Sequence, residues 1–348
     1  MNKKKNFWDN KRVLITGHSG FIGSWLFYFF KKEKIETYGI GLKPNDKLSL
    51  FYLLNNDKKN SYISDINNFD KINNIIKKIK PSIIVHLAAQ SLVLESLKKP
   101  ENTFKTNIMG TLNILRLIKR YKFIKTAIFF TSDKVYNNNN NSKKKFKETD
   151  CLGGDDPYSG SKAASEIVIN SYCKTFLTEK NILILRCGNV IGGGDYSKYR
   201  IIPDIIKAYL KNKILRVRNP QAVRPWQHVV DVIFIIKSLI EKIHSKKKFY
   251  DTFNIGLKKN NLTTMSLISK IKKKFSIRIK INKNNSIEKK FLYLNSNKIL
   301  KKLDIKNLID LPNAINNTVN WYYNFHIKKI DPIKLCHKEI NQYKNNDY

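Results

Sequence analysis

Short apolar runs alternate with longer stretches of helical periodicity through the first half of the chain. The runs predict buried strands at residues 11–16, 37–42, 61–63, 82–87, 126–130 and 182–186. The intervening stretches predict helices at residues 24–32, 70–80, 102–121 and 159–177. Repeated strand–helix alternation indicates an α/β fold with a doubly wound parallel sheet that helices cover on both faces.

The regular alternation ends near residue 188. Beyond that point the elements are shorter, and Pro203, Pro220 and Pro225 interrupt them. We therefore expect a first domain over residues 7–188 and a smaller mixed α/β lobe over residues 189–330. A strand or helix of this second region can also pack with the first domain. Residues 331–348 predict a polar tail that frays. The Asn- and Lys-rich tract at residues 137–147 predicts a surface loop.

The composition narrows the class of protein. The formal charge is +39, but the lysines are spread over helices, loops and ends instead of following one groove, so we expect no nucleic-acid partner. The four cysteines form no CxxC pair, and we expect neither a metal nor a disulfide framework. No run of eighteen apolar residues and no apolar leader is present, so we expect no membrane association and a cytoplasmic location.

A glycine-rich turn, GHSGFIG, separates the first strand from the first helix. Glycines at such a turn let the backbone approach a pyrophosphate, which the helix N-terminus then stabilises. The position predicts a Rossmann-type NAD-binding domain, although a purely structural turn would have the same pattern. The predicted cofactor contacts here are Gly17, Ser19, Gly20, Phe21, Ile22 and Gly23.

Further cofactor contacts are expected after the next strands. The second strand ends in Leu42-Lys43 without the acid that commonly holds the adenosine ribose, so NADP stays open beside the preferred NAD. Asp65 and Ile66 are candidates for the adenine edge, with a helix N-cap as the alternative for Asp65. The remaining candidates lie beside the nicotinamide ribose or bridge the site to the sheet: Leu87, Ala88, Ala89, Gln90 and Asn107.

Tyr158 and Lys162 share one face at the start of a helix. A neighbouring ammonium and the positive nicotinamide ring together lower the pKa of a tyrosine, and the phenolate can then take a proton from a sugar hydroxyl while hydride leaves to the cofactor. Ser132, Asp133 and Lys134 close the fifth strand, at the edge where such sheets bind ligands. Ser132 is expected to bond the oxidised hydroxyl. Elimination of water needs an acid and a base, which Asp133 and Lys134 supply, unless they form only a solvated ion pair.

The segments around residues 186–195 and 224–229 predict a substrate site. Arginine forks suit a diphosphate, and a tryptophan can cover a sugar or base. Each arginine taken singly is equally consistent with a solvated surface. The predicted substrate contacts are Gln90, Ser91, Asn189, Arg200, Arg218, Arg224 and Trp226.

These motifs resemble the extended short-chain dehydrogenase/reductase family, and within it the CDP-glucose 4,6-dehydratases. The resemblance spans residues 7–256, with weaker likeness to about residue 325, and its most specific stretches are TSDK, GNVIGGGD and RPWQHV. It implies an NAD-dependent lyase that converts CDP-glucose to CDP-4-keto-6-deoxyglucose and water in deoxysugar biosynthesis. Tyr158 and NAD would oxidise C4, Lys134 would take the C5 proton, and Asp133 would aid loss of the C6 hydroxyl.

Alternatives remain within the same fold. A UDP- or dTDP-sugar dehydratase and a nucleotide-sugar epimerase share most of these motifs, and a non-catalytic nucleotide- or RNA-binding protein is a remote third reading. The resemblance also implies a homodimer or homotetramer built through the helices at residues 102–121 and 159–177, whose apolar positions equally suit packing on the sheet.

Overall fold

The structure is a computed structural model that describes residues 6–56, 59–138, 143–256, 261–282, 289–303 and 308–346. The strands in chain order are β1 (Arg12–Thr16), β2 (Glu36–Gly41), β3 (Ser61–Ile63), β4 (Ile83–His86), β5 (Thr126–Ser132), β6 (Lys145–Phe146), β7 (Asn181–Cys187), β8 (Asn189–Ile191), β9 (Leu215–Val217), β10 (Val223–His228), β11 (Phe249–Ile255), β12 (Asn261–Thr263), β13 (Ile279–Ile281) and β14 (Tyr293–Leu294).

The α-helices in chain order are α1 (Phe21–Lys32), α2 (Leu50–Leu53), α3 (Phe69–Ile79), α4 (Val93–Lys98), α5 (Pro100–Phe104), α6 (Gly110–Arg120), α7 (Pro157–Thr175), α8 (Ile201–Leu210), α9 (Val229–Ile243), α10 (Thr264–Lys272), α11 (Asn297–Leu303), α12 (Leu311–His326) and α13 (Pro332–Asn345). A π-helical turn, Lys105–Met109, joins α5 to α6, and a 3₁₀ turn, Asp133–Val135, follows β5.

Seven parallel strands form the main sheet, in the order β11-β7-β5-β4-β1-β2-β3. The chain builds outward from β1 to β3, then crosses back to β4 and builds toward the other edge. The predicted doubly wound sheet is confirmed, and its switch point lies between β1 and β4, where open sheets of this kind bind ligands beyond the strand ends.

Both faces of the sheet are packed with apolar side chains. Trp25, Phe29 and Ile233, from α1 and α9, lie in the core on one face. On the other face α3, α6 and α7 contribute Ile76, Ile118 and Ile169. Because β1 and β4 are buried on both sides, their central residues are apolar without alternation, which explains why uninterrupted runs predicted them.

The region after residue 188 does not form a lobe alone. It contributes β11, which pairs in parallel with β7 at the edge of the main sheet, and α9, which packs against α1. The rest forms three small sheets, β12-β10-β8, β13-β9 and β14-β6, beside the carboxyl ends of the main strands. Of the tract predicted as a loop, β6 is a short strand, and residues 139–142 lie outside the described residues.

The expected frayed tail is wrong for most of its length, because residues 332–345 form α13. Asp331 caps this helix by accepting a hydrogen bond from the Ile333 N–H (2.8 Å). Leu335, Cys336 and Ile340 recur at helical spacing and are buried, which anchors the helix to the core. None of the helices within the described ranges is long and apolar enough to cross a membrane.

Candidate active site

A cavity of about 620 Å³ opens at the carboxyl ends of the main strands and extends under the C-terminal region. All but two of the predicted site residues line it. Those that do are Gly17, Ser19, Gly20, Phe21, Ile22, Gly23, Asp65, Ile66, Leu87, Ala88, Ala89, Ser91, Ser132, Asp133, Lys134, Tyr158, Lys162, Asn189, Arg200, Arg218, Arg224 and Trp226.

Two glycines of the turn, Gly17 and Gly23, leave no room for a side chain. Gly17 has φ +73°, and a Cβ there would lie 2.6 Å from the Ala88 nitrogen. A Cβ on Gly23 would lie 2.1 Å from the Gly17 oxygen, so α1 can approach the sheet only with glycine at that position. No side chain caps α1, which leaves the helix N-terminus directed at the cavity for an anion. These features fit a dinucleotide pyrophosphate.

The adenosine end of the cavity lies beyond β2 and β3. Ser19 Oγ donates to the Leu42 carbonyl (2.6 Å), which fixes the end of β2 against the glycine turn. Lys43 and Asp65 both line the cavity here. Asp65 is not the N-cap of α3, because that position belongs to Asn68. Its Oδ1 accepts from the backbone N–H (2.8 Å) and the side-chain amide (3.1 Å) of Asn67.

Gln90 and Asn107 are the two predicted contacts that the structure does not place in the cavity. The Gln90 N–H donates to Asn107 Oδ1 (2.8 Å), and the Gln90 amide donates to Thr103 Oγ1 (2.9 Å). The Asn107 amide in turn donates to Ser161 Oγ (2.8 Å) on α7. Their polar groups therefore brace the loop after β4 against the Tyr158 helix, which agrees with the bridging role expected of Asn107, and their contacts with cofactor and substrate stay predictions.

The end of β5 presents Ser132, Asp133 and Lys134 to the cavity. Ser132 Oγ donates to Asp133 Oδ1 (3.0 Å) and accepts from the Lys134 N–H (3.2 Å). Burial raises the pKa of Asp133, although Lys134, Ser132 and Arg224 act in the opposite direction. Asp133 Oδ2 is buried and has no hydrogen-bond partner among the described residues, so it is available to a ligand in the cavity.

Tyr158 and Lys162 enter the cavity from the first turns of α7, which Asp156 caps. Lys162 Nζ donates to the Phe130 carbonyl on β5 (2.8 Å), and burial lowers the pKa of Lys162 to about 8. Burial also raises the pKa of Tyr158 to about 12, although a hydrogen bond with Ser132 and the positive charge of Arg200 both lower it. Within the protein alone burial therefore outweighs the cations, and the lowering of this pKa by the ammonium together with the nicotinamide ring stays a prediction.

The C-terminal region supplies the basic side of the cavity. Arg200 pairs with Asp195 (3.1 Å) and donates to Ser91 Oγ (3.2 Å), so it bridges from α8 to the loop after β4. Arg224 is buried beside Asp133. Trp226 is also buried, and its indole N–H donates to the Leu262 carbonyl (3.1 Å), so it forms part of the wall.

Sequence reasoning missed a buried ion pair beneath α7. Glu166 accepts three hydrogen bonds from Arg186, one from Nη2 (2.6 Å) and two that share the Nε–H (3.0 and 3.1 Å), and one from Thr131 Oγ1 (2.6 Å). Arg186 also donates to the Tyr136 hydroxyl (2.9 Å). The signal was present, since Glu166 lies four residues after Lys162 and eight after Tyr158, on the same helical face.

Comparison with known proteins shows which family the chain is similar to. The family model described as GDP-mannose 4,6 dehydratase matches residues 14–330. A CDP-glucose 4,6-dehydratase of Salmonella typhimurium is 37% identical over 273 residues, 76% of this chain and 76% of that protein. A UDP-glucose 4-epimerase of Mycoplasma genitalium is 26% identical over 90% of this chain and 97% of that protein.

A solved structure shows the same fold. The dTDP-glucose 4,6-dehydratase of Bacillus anthracis, in complex with NAD, has a TM-score of 0.74 and 23% identity, and the match covers 93% of this chain and 99% of that one. With a family model that matches nine-tenths of its length, this chain belongs to the GDP-mannose 4,6 dehydratase family.

Proposed function

We propose that the protein is an NAD-dependent nucleotide-sugar 4,6-dehydratase that converts CDP-glucose to CDP-4-keto-6-deoxyglucose and water. The observation that carries this proposal is Asp133, a buried carboxyl group with a raised pKa, adjacent in sequence to Lys134 at the cavity wall. A dehydration needs an acid that keeps its proton at neutral pH, whereas an epimerisation needs none. The similarity to the Salmonella enzyme supports the same substrate.

The cofactor site fits NAD, which supplies reversible hydride transfer when it is bound. In the proposed cycle, Tyr158 takes the proton of the C4 hydroxyl while Ser132 holds that oxygen. Lys134 then removes the C5 proton, which the new C4 ketone has made acidic. Asp133 gives its proton to the C6 hydroxyl, and water leaves. The hydride lost from C4 is recovered at C6, and C5 takes a proton that has exchanged with solvent, so the reaction is redox-neutral and consumes no cofactor.

The proposed reaction is tested by mass spectrometry of the product formed from CDP-glucose and NAD in deuterated water. One solvent deuterium at C5, with no net NADH, is the expected result. Asp133→Asn should lower kcat by about 10²- to 10⁴-fold, the contribution typical of one general acid. Asp150→Asn is the matched control, because Asp150 is an aspartate that pairs with Lys144 outside the cavity. Unaltered CDP-glucose with wild-type enzyme would contradict the proposal.

An epimerase or a dehydratase of another nucleotide sugar is the second candidate, which the Mycoplasma relative favours. A panel of CDP-, UDP- and dTDP-glucose separates these functions. An epimerase would change the configuration at C4 without loss of water. If only UDP- or dTDP-glucose gives a product lighter by one water, the dehydration stands and the nucleotide base of the proposed substrate changes.

We further propose a homodimer or homotetramer that assembles through the helices after β4 and β5. Four large apolar side chains on these helices are exposed by 40–60%: Phe104, Met109, Ile167 and Phe176. An exposed apolar set of this kind is typical of an interface. Ile167→Asp should shift the mass measured by light scattering to that of a monomer, and an unchanged mass would contradict this surface.

We also propose a cytoplasmic location. Cys151, Cys173, Cys187 and Cys336 are all unpaired, and three of them are buried, as expected of a protein kept in a reducing compartment. Fractionation of cells that express a tagged chain would test this location.

A further inference from the structure

Tyr199 has an unusual backbone conformation for a bulky residue, with φ +61°. The left-handed region disfavours side chains other than glycine, asparagine and aspartate. Elsewhere in the described ranges the non-glycine residues with positive φ are asparagines and lysines: Asn10, Lys34, Asn55, Asn60, Lys80, Asn212, Lys329 and Asn346. An aromatic side chain is therefore retained at a position where asparagine or glycine would fit with less strain.

Packing does not account for this choice, because the Tyr199 side chain is 36% exposed. Its hydroxyl accepts from Lys98 Nζ (3.2 Å), and that ammonium lies 5.4 Å from the ring centroid. Arg218 donates to the Tyr199 carbonyl (3.2 Å), and its guanidinium lies 6.0 Å from the ring centroid. Exposed contacts of this kind stabilise a fold only slightly. The Tyr199 backbone is held by Arg218 at its carbonyl and by Asp204, which accepts from its N–H. Strained residues that their surroundings hold in place in this way cluster at active sites and ligand clamps.

The ring lies at the basic side of the cavity. Arg200, Arg216 and Arg218 line the cavity with it. Asp195 pairs with Arg200, and the Asp204 carboxylate interacts with Arg218, so one arginine more than the carboxylates is present among these residues. Three guanidinium groups suit a diphosphate. A planar ligand held between the ring and the Arg218 guanidinium needs about 7 Å, twice an ordinary carbon contact, and the present separation is 6.0 Å. A small side-chain movement would therefore open a slot for a base.

We propose that Tyr199 is a specificity-determining residue that stacks against the nucleotide base of the substrate, with Arg218 on the opposite side of that base. This inference rests on the proposed function, since it assumes that the substrate is a nucleoside diphosphate sugar. It adds that the strained tyrosine is maintained for binding. Removal of the ring should therefore weaken nucleotide binding while it relieves the backbone.

The test pairs a binding measurement with a stability measurement, both on the enzyme saturated with NAD. Tyr199→Gly and Tyr199→Asn remove the ring and tolerate positive φ, whereas Tyr199→Phe keeps the ring and loses only the Lys98 hydrogen bond. Isothermal titration with CDP should give a Kd raised about five- to hundred-fold for the first two variants, the range expected for one stacked base. Tyr199→Phe should stay within about three-fold, because stacking does not use the hydroxyl.

Thermal unfolding supplies the second readout. Tyr199→Gly should raise Tm by about 1–3 °C, since it relieves the strained backbone. The matched control is Lys80→Gly, which relieves a left-handed residue (φ +51°) at the end of α3, away from the cavity. That variant should raise Tm similarly and leave the CDP Kd unchanged. A merely structural Tyr199 would show the reverse pattern, with lowered Tm and unchanged Kd.

The outcomes separate this inference from the proposed function. CDP binding that is equally tight in wild type, Tyr199→Gly and Tyr199→Asn would overturn the stacking role, even if CDP-glucose is turned over normally. If wild type binds UDP or dTDP but not CDP, the substrate of the proposed function is wrong. The same variants titrated with the nucleotide that does bind then decide the role of Tyr199. Binding of no nucleotide by wild type would overturn both.

Discussion

The Glu166–Arg186 pair beneath α7 allows a prediction that links stability to catalysis. Glu166→Gln keeps the size of the side chain and removes its charge. Both partners are at least 90% buried, with side chains 2% and 6% exposed. The guanidinium of Arg186 would therefore keep its positive charge without a carboxylate, in a site that water does not reach.

The expected loss of stability is about 3–5 kcal/mol, the usual cost when one partner of a buried ion pair is removed. The contacts support the upper part of that range, because Glu166 accepts from both Arg186 and Thr131 at 2.6 Å. Such a loss is a large share of the roughly 5–15 kcal/mol that keeps a domain folded. Glu166→Leu combined with Arg186→Met should recover most of it, since an apolar pair replaces the buried ions.

The pH profile should change as well. Burial lowers the pKa of Lys162 to about 8, and Glu166 is the group that raises it again. The ammonium form is present below this pKa and lost as pH rises through it. In Glu166→Gln a negative charge is gone and Arg186 stays positive, so the pKa of Lys162 falls and the basic limb of kcat/KM moves to lower pH. The double variant, without either charge, should lie between the two.

Urea unfolding followed by tryptophan fluorescence measures the stability of the wild type, Glu166→Gln and the double variant. Rates of product formation between pH 6 and 10 locate the basic limb of kcat/KM for each. A folded Glu166→Gln enzyme with the wild-type basic limb would refute the electrostatic part of this reasoning. If Glu166→Gln lowers the free energy of unfolding by less than about 1 kcal/mol, the predicted cost of a buried unpaired charge is refuted, because water must then solvate Arg186.

Three further changes have defined outcomes. Gly193→Ala places a Cβ 2.0 Å from the Trp321 ring, so it should lower stability by about 1–3 kcal/mol, measured as a shift in the urea midpoint. Asn107→Leu leaves Ser161 and the Gln90 backbone without their partner, so both kcat and the urea midpoint should fall, whereas an effect on midpoint alone would contradict the bracing role. Burial raises the pKa of Glu339 to about 8 from 4.5, so the folded protein holds this proton more tightly than the unfolded chain and loses stability as pH rises between those values. Glu339→Gln should therefore raise Tm at pH 8 and leave it unchanged below pH 4.5.

Much of the fold is predictable from the sequence because the main sheet is buried on both faces. A run such as Val13-Leu14-Ile15 is compatible with few environments, and the glycine turn after it fixes the direction of the following helix. The contribution of β11 to the main sheet was harder to predict. Its sequence mixes polar and apolar residues, since it forms an edge with one neighbour, and the choice of neighbour is a long-range decision.

The site residues that lie at the ends of strands were predictable, because the end of a strand in this sheet opens directly into the cavity. Asp133 and Lys134 follow β5 directly, so they reach the cavity whatever the detailed rotamers are. The contacts of Gln90 and Asn107 are harder to predict. The Gln90 side chain is long, and Asn107 lies on a helical turn that also faces the sheet. Whether they meet a ligand or each other depends on the π turn at Asn107, which sequence periodicity does not encode.

The burial that closes the cavity has different consequences for its two proton-handling groups. It raises the pKa of both Asp133 and Tyr158, that of Tyr158 to about 12. In the proposed cycle the raised pKa suits Asp133 to its role as the elimination acid, whereas Tyr158 must lose its proton before it can act as a base. The groups are also coupled, because a negative Asp133 raises the pKa of Tyr158 further. Tyr158 therefore ionises most easily while Asp133 keeps its proton, the state that the elimination needs. Arg200, which favours the phenolate, comes from the C-terminal region and contacts Ser91 across the cavity. In the proposed cycle the C-terminal region thus assists oxidation at C4 through the charge of Arg200, and an Asp133 that keeps its proton assists the same step because it places no negative charge beside Tyr158.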